Sequence, residues 1–549
     1  MIPMKLVAAL HSAIHTSDDI TTTVMPPGIQ RIHRALETAA VGAILLAAFF
    51  LLKERIERIE FPFGDEGSWM SVASQLERGE GFTTRWYEHP FQKYPMLPRP
   101  DDFRYPALTL ILAIAFKLFG TTYPTALWTV CVLYLTMLVL LYLTVRRVYG
   151  VAAALMTCAL SAVSLLQLYW NGVVYSEGLF GIAIASVIIV SVFMHPDRIR
   201  SWVVLGVACG FIYYVRPNGI LFLIGFFVHP VLKRKNAGIA IRQAVTGMIA
   251  FSVTVAPWLV RSWILFGNPF HIASGAGVLR VAPADPFTWT MLEFLSHYTP
   301  LIFLKGIVMG IIPFVQTLHF FEKNLFILPV AGIIISVIRR RPFYTPFIAT
   351  GFISSLCACF YVAFTQPWAG VRYASSFLPF LYAYGIAGLV SLCDQATCRF
   401  PPGIRYLSRV ILFLILLSPV YYPHRYYQRM FSKTPTHHLS FNEHIRILDS
   451  LVPAGGYYLA DAYGQLAFLS NRNCAGIQGF FDSTMVAEYL QRYSPTILVL
   501  REHELGNPRI RSILREMGRR GYAAVEEERA QGGIYFRITR IAPVTGGAK

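Results

Sequence analysis

Charged residues are scarce in this sequence. Only 14% of the 549 residues are charged, whereas 55% are hydrophobic. A soluble globular protein carries about 25% charged and about 45–50% apolar residues, so this balance excludes a soluble enzyme of this size. The same excess of apolar residues excludes intrinsic disorder. The composition therefore predicts an integral membrane protein.

Three common kinds of pattern are also missing. The eight cysteines include no pair with the CxxC spacing of a zinc site. The C-terminal tail has neither a GxGxxG motif nor a P-loop, so nothing in it predicts nucleotide binding. Residues 1–34 lack a basic segment followed by a long apolar stretch, which argues against a cleavable signal peptide and favours a cytosolic tail.

Long apolar runs recur along the first 421 residues. A transmembrane helix needs about 20 apolar residues, with a range of about 17–25, and eleven runs are candidates. These runs are 36–53, 124–145, 151–169, 173–194, 201–215, 218–232, 243–266, 324–338, 343–365, 373–392 and 406–421. Two further runs, 106–119 and 301–315, fit either a span or a helix that lies in the membrane interface.

Basic residues exceed acidic ones, 48 to 30, which gives a net charge of +18. Cytoplasmic loops of membrane proteins carry an excess of Lys and Arg, and eleven spans place every basic cluster on that side. The clusters are Arg31/Arg34, Arg146/Arg147, Arg198/Arg200, Lys233/Arg234/Lys235, Arg339/Arg340/Arg341 and Arg399/Arg405. The positive charge therefore orients the helices, and it does not indicate nucleic-acid binding.

This topology divides the chain into three parts. We predict a cytoplasmic tail over 1–35, a transmembrane domain of about eleven helices over 36–421, and an extracytoplasmic domain over 422–549. Segments 54–105 and 267–323 also lie outside. The tail alternates short apolar runs with helical patterns, as in Tyr457–Ala460 and Ile510–Arg519, which predicts a small α/β domain.

Two acidic positions on the outer side stand out. Asp65 and Glu66 follow the first span almost immediately, where they are either functional acids or the first turn of a helix, whose dipole favours negative charge. Glu177 lies at the outer end of run 173–194, where an acid usually marks a binding site or pathway; the alternative is an interfacial acid in water. Asp101 and Asp102 close the first outer segment, and an exposed acidic turn is the alternative there.

A few arginines lie on the predicted outer side, although Lys and Arg are generally concentrated on the cytoplasmic side. They are Arg216, Arg261 and Arg372, and Lys305 in run 301–315 is a further cation of this kind. A guanidinium group donates two parallel hydrogen bonds and suits phosphate, so these residues are candidates for binding an anionic ligand. Contact with lipid headgroups is the alternative for each of them.

The order of these motifs resembles that of the GT-C glycosyltransferases. The branch that it resembles is the one that contains the protein O-mannosyltransferases and the lipid A aminoarabinose transferases. The similarity covers roughly residues 36–500. The matching segments are Asp65-Glu66-Gly67, Leu76–Phe82, Arg104–Ala113, Phe119-Gly120, Tyr175-Ser176-Glu177, Pro257–Arg261, Phe266–Pro269, Arg372–Pro379 and Ala460–Ser470.

The resemblance implies an α-helical polytopic membrane enzyme of GT-C fold. Such an enzyme moves a sugar, with inversion, from a polyprenyl-phosphate donor to an extracytoplasmic acceptor. The resemblance implies that Asp65 is the catalytic base and Glu66 its partner, that Arg104 holds the lipid phosphate, and that Glu177 orients the sugar or the acceptor. A lipid phosphate leaves as a stabilised anion, so cations can replace a general acid, while the acceptor hydroxyl still needs a base.

We complete this site with four further residues. Arg372 and Lys93 are predicted to bind the donor phosphate together with Arg104, and Asp102 and Tyr373 to bind the sugar or acceptor together with Glu177. The expected partners are the donor, the acceptor and the lipid bilayer, without nucleic acid. No metal or other cofactor is assigned, although hard carboxylate oxygens leave Mg²⁺ or Mn²⁺ as an alternative.

Two other functions compete with a transferase. A transporter or flippase of lipid-linked sugars typically shows inverted repeats and charges at mid-membrane, whereas this sequence has no visible repeat and keeps its acids at helix ends. A non-catalytic scaffold leaves the Asp65-Glu66 pair and Arg372 unexplained. The expected location is a cell inner membrane, with the active site on the extracytoplasmic side.

Overall fold

In a computed structural model, long helices make up most of the chain before residue 451, and a β-sheet domain follows them. The structure describes residues 27–58, 65–87, 97–195, 197–216, 237–269, 300–322, 325, 327–328, 330–332, 371–372, 375–432, 441–460, 472–476, 490, 494–501, 505, 507–519, 521–530 and 533–540. The helices are α1 (Pro27–Arg58), α2 (Glu66–Glu77), α3 (Pro106–Phe119), α4 (Tyr123–Tyr149), α5 (Val151–Val163), α6 (Leu165–Asn171), α7 (Glu177–Phe193), α8 (Ile199–Val215), α9 (Ala237–Phe266), α10 (Pro300–Glu322), α11 (Leu378–Ala396), α12 (Pro402–Ser432), α13 (Phe441–Leu451) and α14 (Pro508–Arg519). The strands are β1 (Thr83–Thr84), β2 (Trp86–Tyr87), β3 (Arg99–Pro100), β4 (Tyr457–Ala460), β5 (Asn473–Gly476), β6 (Ile497–Arg501), β7 (Tyr522–Ala530) and β8 (Gly533–Arg540).

Several helices have the dimensions of membrane spans. Among the described residues, four are long and apolar enough to cross a bilayer: Gln30–Glu57, Tyr123–Tyr149, Gly238–Phe266 and Leu304–Glu322. Apolar side chains cover their outer surfaces; Phe50, Val253 and Ile264, for example, are 61%, 68% and 75% exposed. Such a surface suits lipid rather than water. The predicted multi-pass membrane protein is therefore confirmed.

The count of eleven spans stays a prediction, because runs 218–232 and 343–365 lie outside the described residues. The two ambiguous runs are both helical. Run 301–315 belongs to α10, which has the length of a span. Run 106–119 forms α3, which has 14 residues and is short of the roughly 20 residues that cross a bilayer.

The predicted span 151–169 differs from a single straight helix. It consists of α5 and α6, which meet at an angle of 60° at Ser164. The Ser164 hydroxyl accepts a hydrogen bond from the amide of Gln167 (3.1 Å) and begins α6. The buried carboxylate of Glu322, on α10, accepts bonds from the Ser164 hydroxyl and from the amide of Leu166 (3.1 Å). These contacts satisfy polar groups that the break exposes.

The C-terminal end of α6 is fixed by a second buried contact. Nη1 of Arg55, on α1, donates a 2.9 Å hydrogen bond to the carbonyl of Leu168. Gly172 then leaves space for the arginine, because a Cβ there would lie 2.5 Å from the Arg55 Cδ. The short helix therefore directs residues 173–176 towards the start of α7, where Glu177 lies.

The C-terminal domain contains a six-stranded sheet in the order β2-β5-β4-β6-β8-β7. Strands β2, β5, β4 and β6 run parallel, whereas β8 pairs antiparallel with both β6 and β7. Helix α14 lies on this sheet beside β7. The predicted small α/β domain is confirmed, but its edge strand β2 comes from segment 54–105, which the sequence did not indicate.

Candidate active site

Asp65 lies at the N-terminus of α2. Its backbone carbonyl accepts hydrogen bonds from the amides of Ser68 (3.1 Å) and Trp69 (3.3 Å), which forms the first turn of the helix. Its side chain makes no capping bond. The acid pair therefore does mark the start of a helix, as one of the two interpretations of the sequence predicted. The Asp65 carboxylate, however, does not cap that helix and contacts other side chains.

Each carboxylate oxygen of Asp65 faces one guanidinium group. Oδ1 lies 3.3 Å from Nη2 of Arg104, and Oδ2 accepts a 3.0 Å hydrogen bond from Nη1 of Arg372. Arg104 belongs to the same outer segment, whereas Arg372 is 307 residues away in the sequence. Two arginines that the sequence predicted as phosphate ligands thus flank the predicted base.

These ion pairs determine the charge of Asp65. Burial alone raises the pKa of a carboxyl group, because the charged form loses solvation. The positive charges of Arg104 and Arg372 outweigh this effect, so the pKa of Asp65 lies well below its ordinary value of 3.8. The pKa of Asp65 is lower in the folded than in the unfolded protein. The ion pairs therefore stabilise the fold at pH values above the ordinary pKa, and this stabilisation is lost as the pH falls through the pKa of the folded state. Asp65 is therefore ionised at neutral pH.

Glu177, the first residue of α7, is the second acid in this cluster. Its Oε1 accepts a 2.6 Å hydrogen bond from Nε of Arg372 and another from Nη2 of Arg216. Its side chain is only 1% exposed, and none of the described residues gives its Oε2 a hydrogen-bond partner. A buried acceptor without a partner is costly, which makes this oxygen a candidate contact for a bound ligand.

The five side chains form one chain of alternating charge. It runs from Arg216 to Glu177, Arg372, Asp65 and Arg104. Three cations and two anions leave one net positive charge. The cluster is therefore suited to one additional anion.

The arginines that contact Asp65 are themselves held in place. Nε of Arg104 donates to the hydroxyl of Ser68 (2.6 Å), one turn into α2. The guanidinium carbon of Arg372 lies 3.8 Å from the ring centre of Tyr175 and 5.6 Å from that of Trp170, distances at which a cation is attracted to an aromatic face. The hydroxyl of Tyr175 also accepts a 3.3 Å bond from the Asp65 amide.

Asp102 is not part of this chain of charges. Its Oδ1 accepts a 2.8 Å bond from Nη1 of Arg99, and both side chains are 0% exposed. The neighbouring Asp101 is also buried, and burial raises the pKa of its carboxyl group above the ordinary value. Oδ2 of Asp101 accepts a 2.7 Å bond from the amide of Arg104. The turn is therefore a buried support for Arg104, and the alternative of an exposed acidic turn is wrong.

Glu66 points away from the ion pairs of Asp65. It is fully buried, and its Oε2 accepts hydrogen bonds from the hydroxyl of Tyr123 (3.0 Å) and the amide of Val174 (2.9 Å). These contacts tie the start of α2 to the start of α4 and to the segment that precedes Glu177. The geometry therefore makes Glu66 a support for its neighbour.

We expect Glu66→Ala to lower stability, because it leaves the Tyr123 hydroxyl and the Val174 amide buried without their acceptor. Each such loss costs about 1–3 kcal/mol. Thermal unfolding of the purified protein measures this effect, and Glu66→Gln, which keeps an acceptor oxygen, is the matched control. An unchanged unfolding midpoint for Glu66→Ala would contradict this structural role.

The structure brings together Asp65, Arg104, Arg372 and Glu177 from the predicted set. Arg216, which the sequence marked only by its outer position, joins them through Glu177. Two predicted ligands, Lys93 and Tyr373, lie outside the described residues. Arg261 does not contact Asp65 directly, but its Nη2 donates to the backbone carbonyls of Phe82 (3.2 Å) and Asp101 (2.9 Å).

In the part of the chain that the structure describes, no group of three or more His, Cys, Asp and Glu side chains has the arrangement of a metal site. The charges of this cluster are instead balanced by arginines.

Comparisons with known proteins agree with the sequence resemblance. Residues 99–260, which contain Arg104 and Glu177, match the family model described as dolichyl-phosphate-mannose-protein mannosyltransferase. No curated protein sequence matches the chain.

Solved structures show the same fold. ArnT from Cupriavidus metallidurans, crystallised with undecaprenyl phosphate, is 13% identical; the match covers 93% of this chain and 100% of ArnT, with a TM-score of 0.56. The archaeal oligosaccharyltransferase AglB from Archaeoglobus fulgidus, in complex with an inhibitory peptide and a dolichol-phosphate, is 13% identical; the match covers 93% of this chain and 75% of AglB, with a TM-score of 0.58. The resemblance is thus confirmed, and the chain has the fold of GT-C membrane glycosyltransferases.

Proposed function

We propose that this protein is an inverting glycosyltransferase that moves a sugar from a polyprenyl-phosphate donor to an extracytoplasmic acceptor. The observation that carries the proposal is the Asp65 carboxylate, held between the guanidinium groups of Arg104 and Arg372. This arrangement combines a base for a hydroxyl group with cations for a phosphate. Both components are needed when a hydroxyl displaces a lipid phosphate from a sugar.

The nature of the donor is supported by charge and by similar proteins. The cluster of Arg216, Glu177, Arg372, Asp65 and Arg104 has one net positive charge, which the single negative charge of a phosphodiester would neutralise. The two similar structures contain undecaprenyl phosphate and dolichol-phosphate. Arginine is well suited to bind phosphate because its fork donates two parallel hydrogen bonds.

We propose the following reaction. The acceptor oxygen attacks the anomeric carbon of the sugar as Asp65 takes the acceptor's proton. The bond between that carbon and the phosphate oxygen breaks, and its electron pair leaves with the polyprenyl phosphate. Attack from the face opposite to the leaving group inverts the anomeric carbon. Arg104 and Arg372 stabilise the charge that develops on the departing phosphate.

Donor binding also prepares the base in this scheme. Both Asp65 oxygens face arginines, which keep its pKa low and make it a weak base. A phosphate that competes for Arg104 and Arg372 reduces this effect. The Asp65 carboxylate then becomes more basic at the moment when the donor is in place.

The remaining predicted ligands complete the proposal. Lys93 would add a third cation near the phosphate. Glu177 would orient the sugar through its Oε2, which is buried and has no hydrogen-bond partner in the part of the chain that the structure describes. Tyr373, next to Arg372, would bind the sugar or the acceptor, whereas Asp102, predicted from the sequence for the same role, has a buried carboxylate paired with Arg99 and would instead support Arg104. Glu66 would act as the partner of Asp65 by fixing the helix on which it stands.

We expect Glu177→Gln to lower kcat/KM about 10²-fold, because one buried charged contact contributes about 1.5–3 kcal/mol. The inhibition constant of polyprenyl phosphate alone should not rise, since Glu177→Gln also removes a negative charge that neutralises Arg372 and leaves that arginine to attract the phosphate more strongly. Steady-state kinetics with donor and product inhibitor measure both values. A parallel rise of the inhibition constant would show that Glu177 acts on the phosphate instead.

The location of the reaction is part of the proposal. The N-terminal tail would be cytoplasmic, and the cluster and the C-terminal domain would face the outside of a cell inner membrane. The polyprenyl chain then stays in the bilayer while its head group reaches the ion pairs at the helix ends. The acceptor would be lipid A, a polysaccharide, a glycolipid or a protein.

Proteoliposomes that contain the protein and a radiolabelled polyprenyl-phosphate sugar test this function. The expected result is a time-dependent release of polyprenyl phosphate with the label on an added acceptor. A flippase would instead move the intact donor across the bilayer and leave its glycosidic bond unbroken. That outcome would contradict the transferase.

A further inference from the structure

The first outer segment is built into the sheet of the C-terminal domain. Strand β2 pairs parallel with β5, with Trp86 opposite Cys474 and Tyr87 opposite Ala475. The amide of Cys474 also donates a 3.0 Å bond to the carbonyl of Arg85. The segment that carries Asp65 at its start therefore supplies an edge strand to a domain nearly 400 residues later in the sequence.

Apolar side chains of the same segment occupy both cores of that domain. Trp86 is buried in the cluster on one face of the sheet, with Leu448 and Tyr458. Leu97 is buried in the cluster on the other face, with Leu459, and its carbonyl accepts a 2.8 Å bond from the Tyr457 hydroxyl. Full burial of a large apolar side chain contributes about 1.5–3 kcal/mol, so this attachment is a stable one.

Arg85 connects this attachment to helix α2. Its Nε donates to Oε1 of Gln75 (3.2 Å), near the C-terminal end of α2, and its Nη1 lies 3.5 Å from Oδ1 of Asn473 on β5. Its Nη2 pairs with Glu80 at 3.0 Å. One guanidinium group thus contacts the helix, the turn that follows it and the sheet of the C-terminal domain.

A second set of hydrogen bonds supports this connection. The Ser71 hydroxyl, in the middle of α2, lies 3.2 Å from the Thr84 hydroxyl and accepts a 3.3 Å bond from the Arg85 amide. Ser71, Gln75 and Thr84 are each at most 2% exposed. Buried hydrogen bonds of this kind define a position more strictly than apolar contacts do, because an unmade bond there is costly.

We propose that the C-terminal domain positions the helix that carries Asp65, and that Arg85 is the positioning residue of this connection. This inference rests on the proposed role of Asp65 as the base. Gln75 lies ten residues from Asp65, which is about 15 Å along a helix. A tilt of about 4° over that length moves Asp65 by about 1 Å, and a displacement of that size costs about 10²-fold in rate.

The function of the C-terminal domain in this account differs from that of an acceptor-binding domain. An acceptor-binding domain would change KM for the acceptor when it is altered. A positioning domain changes kcat, because it controls the geometry of bound reactants rather than their affinity. Arg85 distinguishes the two, since its contacts join α2 to the sheet without approaching Asp65 directly.

The test uses the full-length protein in lipid nanodiscs with Arg85→Ala and, as a second variant, Asn473→Ala, which removes the partner of Arg85 on the domain side together with the 2.8 Å bond from Asn473 Nδ2 to the Gly455 carbonyl. The control is Arg537→Ala, because Arg537 forms an ion pair with Glu527 in the same sheet (2.6 Å). For each variant, kcat and both KM values are measured, together with hydrogen–deuterium exchange of the amides of residues 66–77.

Arg85→Ala is expected to lower kcat about 10–100-fold by this misplacement, with both KM values within about threefold, and to speed amide exchange in residues 66–77. Asn473→Ala should show a smaller change in the same direction, and Arg537→Ala neither change. A raised acceptor KM with unchanged kcat, a kcat loss without faster exchange, or an equal loss in Arg537→Ala would each overturn the proposal. Amide exchange does not depend on catalysis. If the wild-type protein transfers no sugar, the proposed function fails, but the exchange rates of residues 66–77 still test whether Arg85 positions the helix.

Discussion

Asp65→Asn is expected to lower kcat for sugar transfer about 10³-fold, because asparagine has no basic oxygen to accept the acceptor's proton, and a general base contributes about 10²–10⁴-fold. The substitution preserves the size of the side chain and one acceptor oxygen. The backbone carbonyl of residue 65 still begins α2. The variant should therefore insert and fold as the wild type does.

The affinity of Asp65→Asn for the donor should not fall, in contrast to its rate of transfer. Asp65 neutralises part of the charge of Arg104 and Arg372. Without that charge both arginines attract the donor phosphate more strongly, so the donor should bind at least as tightly as in the wild type. A role for Asp65 in binding the donor would instead weaken it.

Donor binding to purified membranes and single-turnover transfer measure the two effects separately. Asp394→Asn is the matched control, because Asp394 also forms an ion pair with an arginine, Arg409, at 2.8 Å. Its transfer rate should remain within about twofold of the wild type, as most surface ion pairs contribute little. A wild-type transfer rate in Asp65→Asn would show that Asp65 is not the catalytic base.

Arg372→Ala should have the second largest effect. Arg372 contacts both acids, with Nη1 on Asp65 and Nε on Glu177. One charged hydrogen bond contributes about 1.5–3 kcal/mol, and every 1.4 kcal/mol is about tenfold. We therefore expect an increase of about 10–100-fold in donor KM, with a further loss in kcat.

The pH dependence of Arg372→Ala has a defined sign. The positive charge of Arg372 lowers the pKa of Asp65, so its removal raises that pKa towards the ordinary range. The acid limb of kcat/KM reports the free enzyme's base and should move to higher pH. Arg372→Lys should return the acid limb part of the way to its wild-type pH, because it keeps the positive charge. It should restore little of the rate, because an ammonium group lacks the fork that contacts two carboxylates.

Arg409→Ala is the control for both measurements, since Arg409 forms a bidentate ion pair with Asp394. Its acid limb should coincide with that of the wild type. An acid limb of Arg372→Ala that stays in place would mean that the base is a group other than Asp65.

The sequence predicted the main members of the cluster but not their pairing. Asp65 and Glu177 were marked as acids at helix ends, and Arg372 as a cation on the side that usually lacks them. That rule counts charges on each side of the membrane and contains no distances. It therefore did not assign Arg216 to Glu177, or show that Glu66 supports the helix while Asp65 faces the arginines.

Contacts between distant parts of the chain explain what remained unpredicted in the fold. The break at Ser164 lies inside a continuous apolar run, and the group that stabilises it, Glu322, is 158 residues away. Strand β2 has only two residues, which is too short for any periodicity, and its partner strand belongs to the C-terminal domain. Helix spans and the α/β tail were predictable because their signals are local.

The most direct test of the account compares envelope glycans by mass spectrometry in cells with and without the gene. The account predicts that deletion removes one sugar from one class of glycan, and that wild-type protein restores it while Asp65→Asn does not. The missing sugar and its carrier would identify donor and acceptor together. An unchanged glycan profile after deletion, or full restoration by Asp65→Asn, would contradict a transferase that uses Asp65 as its base.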